Sequence, residues 1–155
     1  MKKIYLLLML SIILLDACTR GHVYEKYQNI PNWDWKYGQE KSFPLDIKED
    51  GKHYNIYINL RHTEDYKFSN LWVELLIKKP GNQEDKQRFA LTLAEQDGKW
   101  LGTRLGNIYD IPPFLVLNNY FIPKKGQYNF ILSHAMREDI IQGIMDVGIR
   151  VEQID

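Results

Sequence analysis

The stretch His53-Tyr54-Asn55-Ile56-Tyr57-Ile58-Asn59-Leu60-Arg61-His62 decides the fold. Tyr54, Ile56, Ile58 and Leu60 fall on one side of an extended chain, and Asn55, Tyr57, Asn59 and Arg61 on the other. Period two sustained over that length means a half-buried β-strand, because successive side chains of a strand point to opposite faces. Just before it, Glu49-Asp50-Gly51-Lys52 reads as a hairpin turn, since Asp-Gly accepts positive φ. Further upstream, 42–47 reads as a short strand, and Pro44 marks it as an edge or a bulge. Downstream, Leu71, Val73, Leu75 and Ile77 alternate with Trp72, Glu74, Leu76 and Lys78 until Pro80-Gly81-Asn82 ends the run. Stretch 87–95 sets Phe89, Leu91 and Leu93 on one side, and Asp97-Gly98 turns the chain into Lys99-Trp100-Leu101-Gly102. Tyr128, Phe130 and Leu132 alternate within 126–134, and Met145, Val147, Ile149 and Val151 within 145–151.

Three connecting stretches carry weaker signals. Ile30-Pro31-Asn32-Trp33-Asp34-Trp35 is a turn bearing two tryptophans. Arg137 to Gly143 reads as one helical turn or a bulged bend. Asn107 to Pro123 shows no clear period, and its adjacent Pro112 and Pro113 exclude a helix interior. About seven to nine strands with turn signals between them predict an all-β chain. The expected architecture is an antiparallel two-sheet β-sandwich, jelly-roll or Ig-like, with a closed barrel as the alternative. Ile56, Ile58, Leu60, Phe89, Leu91, Tyr128, Phe130 and Ile149 are the expected core.

The N-terminus is of another kind. Met1-Lys2-Lys3 is followed by an apolar run from Ile4 to Leu15. A basic start before a short apolar run is the layout of a secretory signal. Spanning a bilayer takes roughly 20 apolar residues, and Asp16 stops this run short. Leu15-Asp16-Ala17-Cys18 follows and resembles a lipobox: a leucine, two small residues, then cysteine. Asp16 departs from that pattern, where a small neutral residue is usual. The resemblance implies that residues 1–17 are removed and that Cys18, the only cysteine, takes the lipid. No thiol is then left for a disulfide, a metal site or a nucleophile. Residues 18–29 are expected to be a lipidated N-terminus and polar lead-in, part tether and part first strand. Residues 30–155 are expected to form the β-sandwich domain.

Twenty Lys and Arg balance twenty Asp and Glu. That neutrality argues against a nucleic-acid partner, which calls for a basic face. The four histidines, His22, His53, His62 and His134, have no partner at metal-ligand spacing, so neither a metal nor another cofactor is expected. No nucleophile elbow and no phosphate loop follows a strand. Asp34, Asp46, Glu74 and Asp110 are ordinary carboxylates that only a fold could pair. No catalytic residue is therefore nominated. Arg61 and His62, with Glu64 and Asp65, form a charged cluster at a strand end, either gripping a partner's carboxylate or closing a salt-bridged loop. Asn59 and Asn70 suit backbone bonding at bends. Trp72 stands opposite the Leu71, Val73 and Leu75 face, so it is either an outward platform or a packing residue. Trp33, Trp35 and Trp100 pose the same choice. Arg61, His62 and Trp72 are the candidate partner-binding residues.

Several strings read together carry a family resemblance. They are Tyr57-Ile58-Asn59-Leu60-Arg61-His62, Tyr66, Ser69-Asn70-Leu71-Trp72, Gly98-Lys99-Trp100-Leu101-Gly102, Gly126-Gln127-Tyr128, Met136-Arg137 and Asp146-Val147-Gly148-Ile149-Arg150. In this order they resemble the GldH family of gliding-motility lipoproteins of the Bacteroidota. The resemblance implies a non-enzymatic lipoprotein of the envelope machinery associated with gliding and type IX secretion, with membrane lipid and other envelope proteins as its partners. Thr19-Arg20-Gly21-His22 after Cys18 lacks the acidic residues usual on surface-exported lipoproteins of such bacteria, which points to a periplasm-facing domain. A lipid-anchored carbohydrate-binding module is the alternative reading of the tryptophans.

Overall fold

The structure is a computed structural model that describes residues 22–154; the export segment and Cys18 lie outside the described residues. Eleven strands follow one another: β1 (His22–Asn29), β2 (Asp34–Lys36), β3 (Lys41–Ile47), β4 (Lys52–Thr63), β5 (Asn70–Lys79), β6 (Gln83–Thr92), β7 (Thr103–Leu105), β8 (Ile108–Ile122), β9 (Gly126–His134), β10 (Ile140–Gln142) and β11 (Ile144–Gln153). A five-stranded sheet has the order β1-β11-β4-β8-β7, and a four-stranded sheet the order β3-β9-β5-β6. Strands β2 and β10 form a separate ribbon. Every pairing is antiparallel. The sheets stay open, as a sandwich requires, and no barrel closes.

The period-two faces meet in the middle. Ile56, Ile58 and Leu60 of β4, Val147, Ile149 and Val151 of β11, Val73, Leu75 and Ile77 of β5, and Tyr128, Phe130 and Leu132 of β9 are all buried in one core. Of the expected core, Phe89 is only partly covered, because β6 is the edge of its sheet. Pro44 sits on β3, the opposite edge, where the ladder tolerates a missing N–H. At one flank the sheets are tied by Tyr120 of β8, whose hydroxyl donates to Asp85 of β6 at 2.5 Å while Lys79 pairs with the same carboxylate.

One expectation is overturned, and the looser readings become definite. The 49–52 turn is not a hairpin: β3 and β4 belong to different sheets, so the turn at Gly51 (φ +66°) carries the chain across the sandwich. Stretch 107–123 holds the longest strand, β8, which keeps pace with β4 only through register shifts around Leu117 and between Phe114 and Ile111. The double proline lies in that irregular part, which blurs the alternation. Stretch 137–143 is a bend leading into β10, and β10 pairs with β2. Residues 99–102 make one isolated bridge, Ala94 to Trp100, and the strand proper starts at Thr103. Within the polar lead-in, the strand begins at His22 and pairs along β11.

Strand directions give the sandwich two ends. The base holds the start of β1, the end of β11 and the β3–β4, β5–β6 and β8–β9 loops. The top holds the β4–β5 and β6–β7 connections and the β2/β10 ribbon.

Candidate functional site

The register of three strands builds a polar face on the outside of the five-stranded sheet. Because Ile58 and Leu60 point inward, Asn59 and Arg61 point outward; because Val147 and Ile149 point inward, Asp146, Gly148 and Arg150 point outward. Pairing sets them in rows: Asp110, Arg61, Asp146 and Asn29 in one, Asn59, Gly148 and Tyr27 in the next, then Leu115, Tyr57, Arg150 and Glu25.

Arg61 grips Asp146 at two points, Nε to Oδ1 at 2.9 Å and Nη2 to Oδ2 at 2.6 Å. The Asp146 side chain is 4% exposed and that of Arg61 36%. Burial holds the Asp146 carboxyl above its usual range, and the Arg61 hydrogen bond pulls against that. The Tyr27 ring lies 5.0 Å from the Arg61 guanidinium. Asn59, itself buried, donates from Nδ2 to Glu25 at 2.7 Å, while its Oδ1 has no partner among the described residues. Arg150 donates to Glu152 and lies over Tyr57. Gly148 leaves the space that Tyr27 fills: a Cβ there would stand 2.6 Å from the Lys26 carbonyl oxygen and 3.2 Å from the Tyr27 ring.

The candidate residues part company here. Arg61 belongs to this face, but its partner is Asp146, and Glu64 pairs instead with Arg104. His62 points the other way and is fully buried, so it offers no surface to a partner. Its ring stacks on Tyr109 at 5.4 Å and meets Trp100 edge-on at 4.6 Å, with Tyr66 beside them. Its Nδ1–H donates to the Thr63 carbonyl at 2.8 Å, which leaves the lone pair on Nε2. Desolvation pushes its pKa down. Thus the Arg-His and Trp-Leu-Gly strings meet in an aromatic cluster at the top.

Trp72 is outward, 43% exposed, on the four-stranded sheet. It lines a shallow groove with Asn70, Arg88, Met136 and Arg137, and the Met136 sulfur accepts its backbone N–H at 3.2 Å. Trp35 is core, Trp100 is partly buried against the core, and Trp33 is exposed in a turn where Asn32 and Trp33 both take positive φ. Asp46 pairs with Lys48, and Glu74 with Lys86 and Arg88. His134 is buried against Trp35 and Tyr37. Among the described residues, no group of three or more His, Cys, Asp or Glu could hold a metal.

Sequence reasoning missed Asp146, Glu25, Tyr27 and Arg150, and it assigned Asn59 to a bend. The available signal was the outward half of each alternating strand; which outward residues become neighbours depends on pairing.

A family model described as GldH lipoprotein matches residues 22–151. A gliding motility lipoprotein GldH homolog from Christiangramia forsetii is 30% identical over 152 residues, covering 94% of this chain and 92% of that one. Gliding motility lipoprotein GldH from Flavobacterium johnsoniae is 28% identical over 156 residues, covering 96% of each.

Proposed function

The chain belongs to the GldH lipoprotein family, and from that premise we propose that it is a lipid-anchored envelope protein that serves gliding motility by binding, with no catalytic step. Its anchor is Cys18 and its partners are other envelope proteins of the gliding and type IX secretion-associated machinery. The domain faces the periplasm. One observation carries the binding reading: three carboxylates on the outward face of the five-stranded sheet are already held by neighbouring side chains. Both oxygens of Asp146 are engaged by Arg61, Glu25 is engaged by Asn59, and Glu152 by Arg150. A general acid or base has to be free to exchange a proton with substrate. Groups fixed against each other and overlaid by Tyr27 and Tyr57 instead present a rigid pattern, with tyrosine and arginine as the residues that anchor interfaces.

A second reading has support in the Trp72 groove. A half-exposed indole beside Asn70, Arg88 and Arg137 has the makings of a sugar-stacking platform, which keeps a carbohydrate-binding module as the alternative.

The test is complementation of a deletion strain, combined with affinity purification of the lipidated protein from its own envelope. Alanine at Asp34, Asp46, Glu74 or Asp110 should leave gliding intact. Charge reversal at the exposed face, Arg150→Glu, should abolish both gliding and the co-purifying envelope proteins. Turnover of an envelope polysaccharide or peptide by the purified domain, lost in a folded carboxylate variant, would overturn the proposal. Retention of a defined glycan that depends on Trp72 would favour the alternative.

A further inference from the structure

The anchor sets how the sandwich can stand. From Cys18 to His22 the chain takes four residue steps, which reach at most about 14 Å when fully extended. Strand β4 has twelve residues, so the sandwich is about 40 Å from base to top. A lipid on Cys18 therefore keeps the start of β1 close to the bilayer surface, and the top is the end farther from the anchor. That start lies beside Glu152, one row from the last residues of β11.

What the base presents there suits a lipid surface. Ile154, His53 and Phe121 lie side by side, with the Ile154 N–H donating to the His53 carbonyl at 3.1 Å and Phe121 paired with His53 across β4 and β8. Their rings stand 5.1 Å apart. Phe121 is 52% exposed and Ile154 46%, an expensive arrangement in water for side chains of that size. Around them, three acidic groups have a counter-charge and a fourth is held by backbone. Asp46 pairs with Lys48, Glu49 with Lys52 and Glu152 with Arg150, and Asp50 accepts the Lys125 backbone N–H. Exposed Lys124 and Lys125 have no ion pair among the described residues and together outweigh the charge of Asp50, so the loop keeps a net positive charge toward the side of the anchor.

From this geometry we infer that the base of the sandwich rests on the phospholipid surface, with Phe121 and Ile154 in the interfacial layer and Lys124 and Lys125 against the headgroup phosphates. A diacylglyceryl group on Cys18 holds the chain at the bilayer by itself, since two acyl chains anchor stably; the apolar and basic contact at the base decides which part of the domain meets the surface. The top of the sandwich, with the Trp72 groove and the β2/β10 ribbon, is then the end farther from the bilayer. The inference rests on the Cys18 anchor.

The lone cysteine makes both parts testable at once. The full lipidated chain bearing Pro123→Cys at the base, or Leu105→Cys at the top, is reconstituted in vesicles of phosphatidylethanolamine and phosphatidylglycerol. It is then labelled with a polarity-sensitive thiol dye. A lipidated Cys18 leaves one free thiol, so one dye per chain reports an intact anchor. The base dye should emit at shorter wavelength and be quenched by aqueous iodide several-fold less than the top dye. Phe121→Asp with Ile154→Asp should abolish that difference, and Lys124→Glu with Lys125→Glu, both exposed loop positions, should weaken it. Equal iodide quenching at base and top with one dye per chain would overturn the docking while the anchor stands. Two dyes per chain would show Cys18 free of lipid and overturn both.

Discussion

Replacing Arg61 by methionine should cost about 2–3 kcal/mol, and the cost should depend on pH. The substitution keeps the aliphatic stem and removes the guanidinium, leaving Asp146 buried with no counter-charge. At contacts of 2.6 and 2.9 Å, two unit charges attract by about 6 kcal/mol at an effective dielectric of about 20. Arg61 is a third exposed, and solvent screens it from that side. The loss should therefore fall between the ~1 kcal/mol typical of an exposed pair and the ~3–5 kcal/mol of a buried pair broken on one side. The pH dependence follows from Asp146. Burial already lifts its pKa above the ordinary value and Arg61 opposes that, so without Arg61 the folded pKa rises further. A folded state that holds its proton more tightly than the unfolded chain loses stability as pH rises through the window between the unfolded and folded pKa values. It regains that stability below the window. Urea melts of wild type and Arg61→Met at about pH 7.5 and about pH 4.5 should show a deficit that shrinks on acidification. Arg61→Met with Asp146→Asn should recover most of it. A deficit below ~1 kcal/mol at the higher pH, or one equal at both pH values, would refute the assignment of Asp146 as a buried charge held by Arg61.

Further outcomes follow from the same structure. Ile58→Ala, fully buried between the sheets, should cost about 2–5 kcal/mol in urea melts. Gly148→Ala should cost about 1–3 kcal/mol, because the new Cβ meets the Lys26 carbonyl; a crystal structure of the variant should find the Tyr27 ring moved off Arg61. His62 and His134 are buried with lowered pKa values, so the unfolded chain binds their protons first and stability should fall as pH drops below ~6.5. His62→Phe, if folded, should flatten part of that slope in thermal melts. Cells fed a clickable palmitate analogue should label the wild-type protein and leave Cys18→Ser unlabelled.

Family membership and the all-β class were both legible in the sequence, for different reasons. Alternation is local: Ile56, Ile58 and Leu60 share a face whatever they pair with, so strand existence and core side follow from the chain alone. The strings 57–62 and 146–150 are likewise local, and they carry the family. Pairing is not local. Nothing between Asp50 and Lys52 says whether the turn closes a hairpin or crosses between sheets, because either path uses a positive-φ glycine. The alternation of β8 is masked by register shifts that only its long pairing with β4 reveals. His62 reads as one more charged-loop residue until Trp100, Tyr109 and Tyr66 close over it from three other parts of the chain. Arg61 and Asp146 stand 85 positions apart and become partners only because β4 and β11 are neighbours in register. The sequence by itself therefore determined which residues turn inward and which turn outward, through the two-residue repeat of a strand. Which outward residues meet, and so what the polar face can hold, was decided by strand order and register in the folded sandwich.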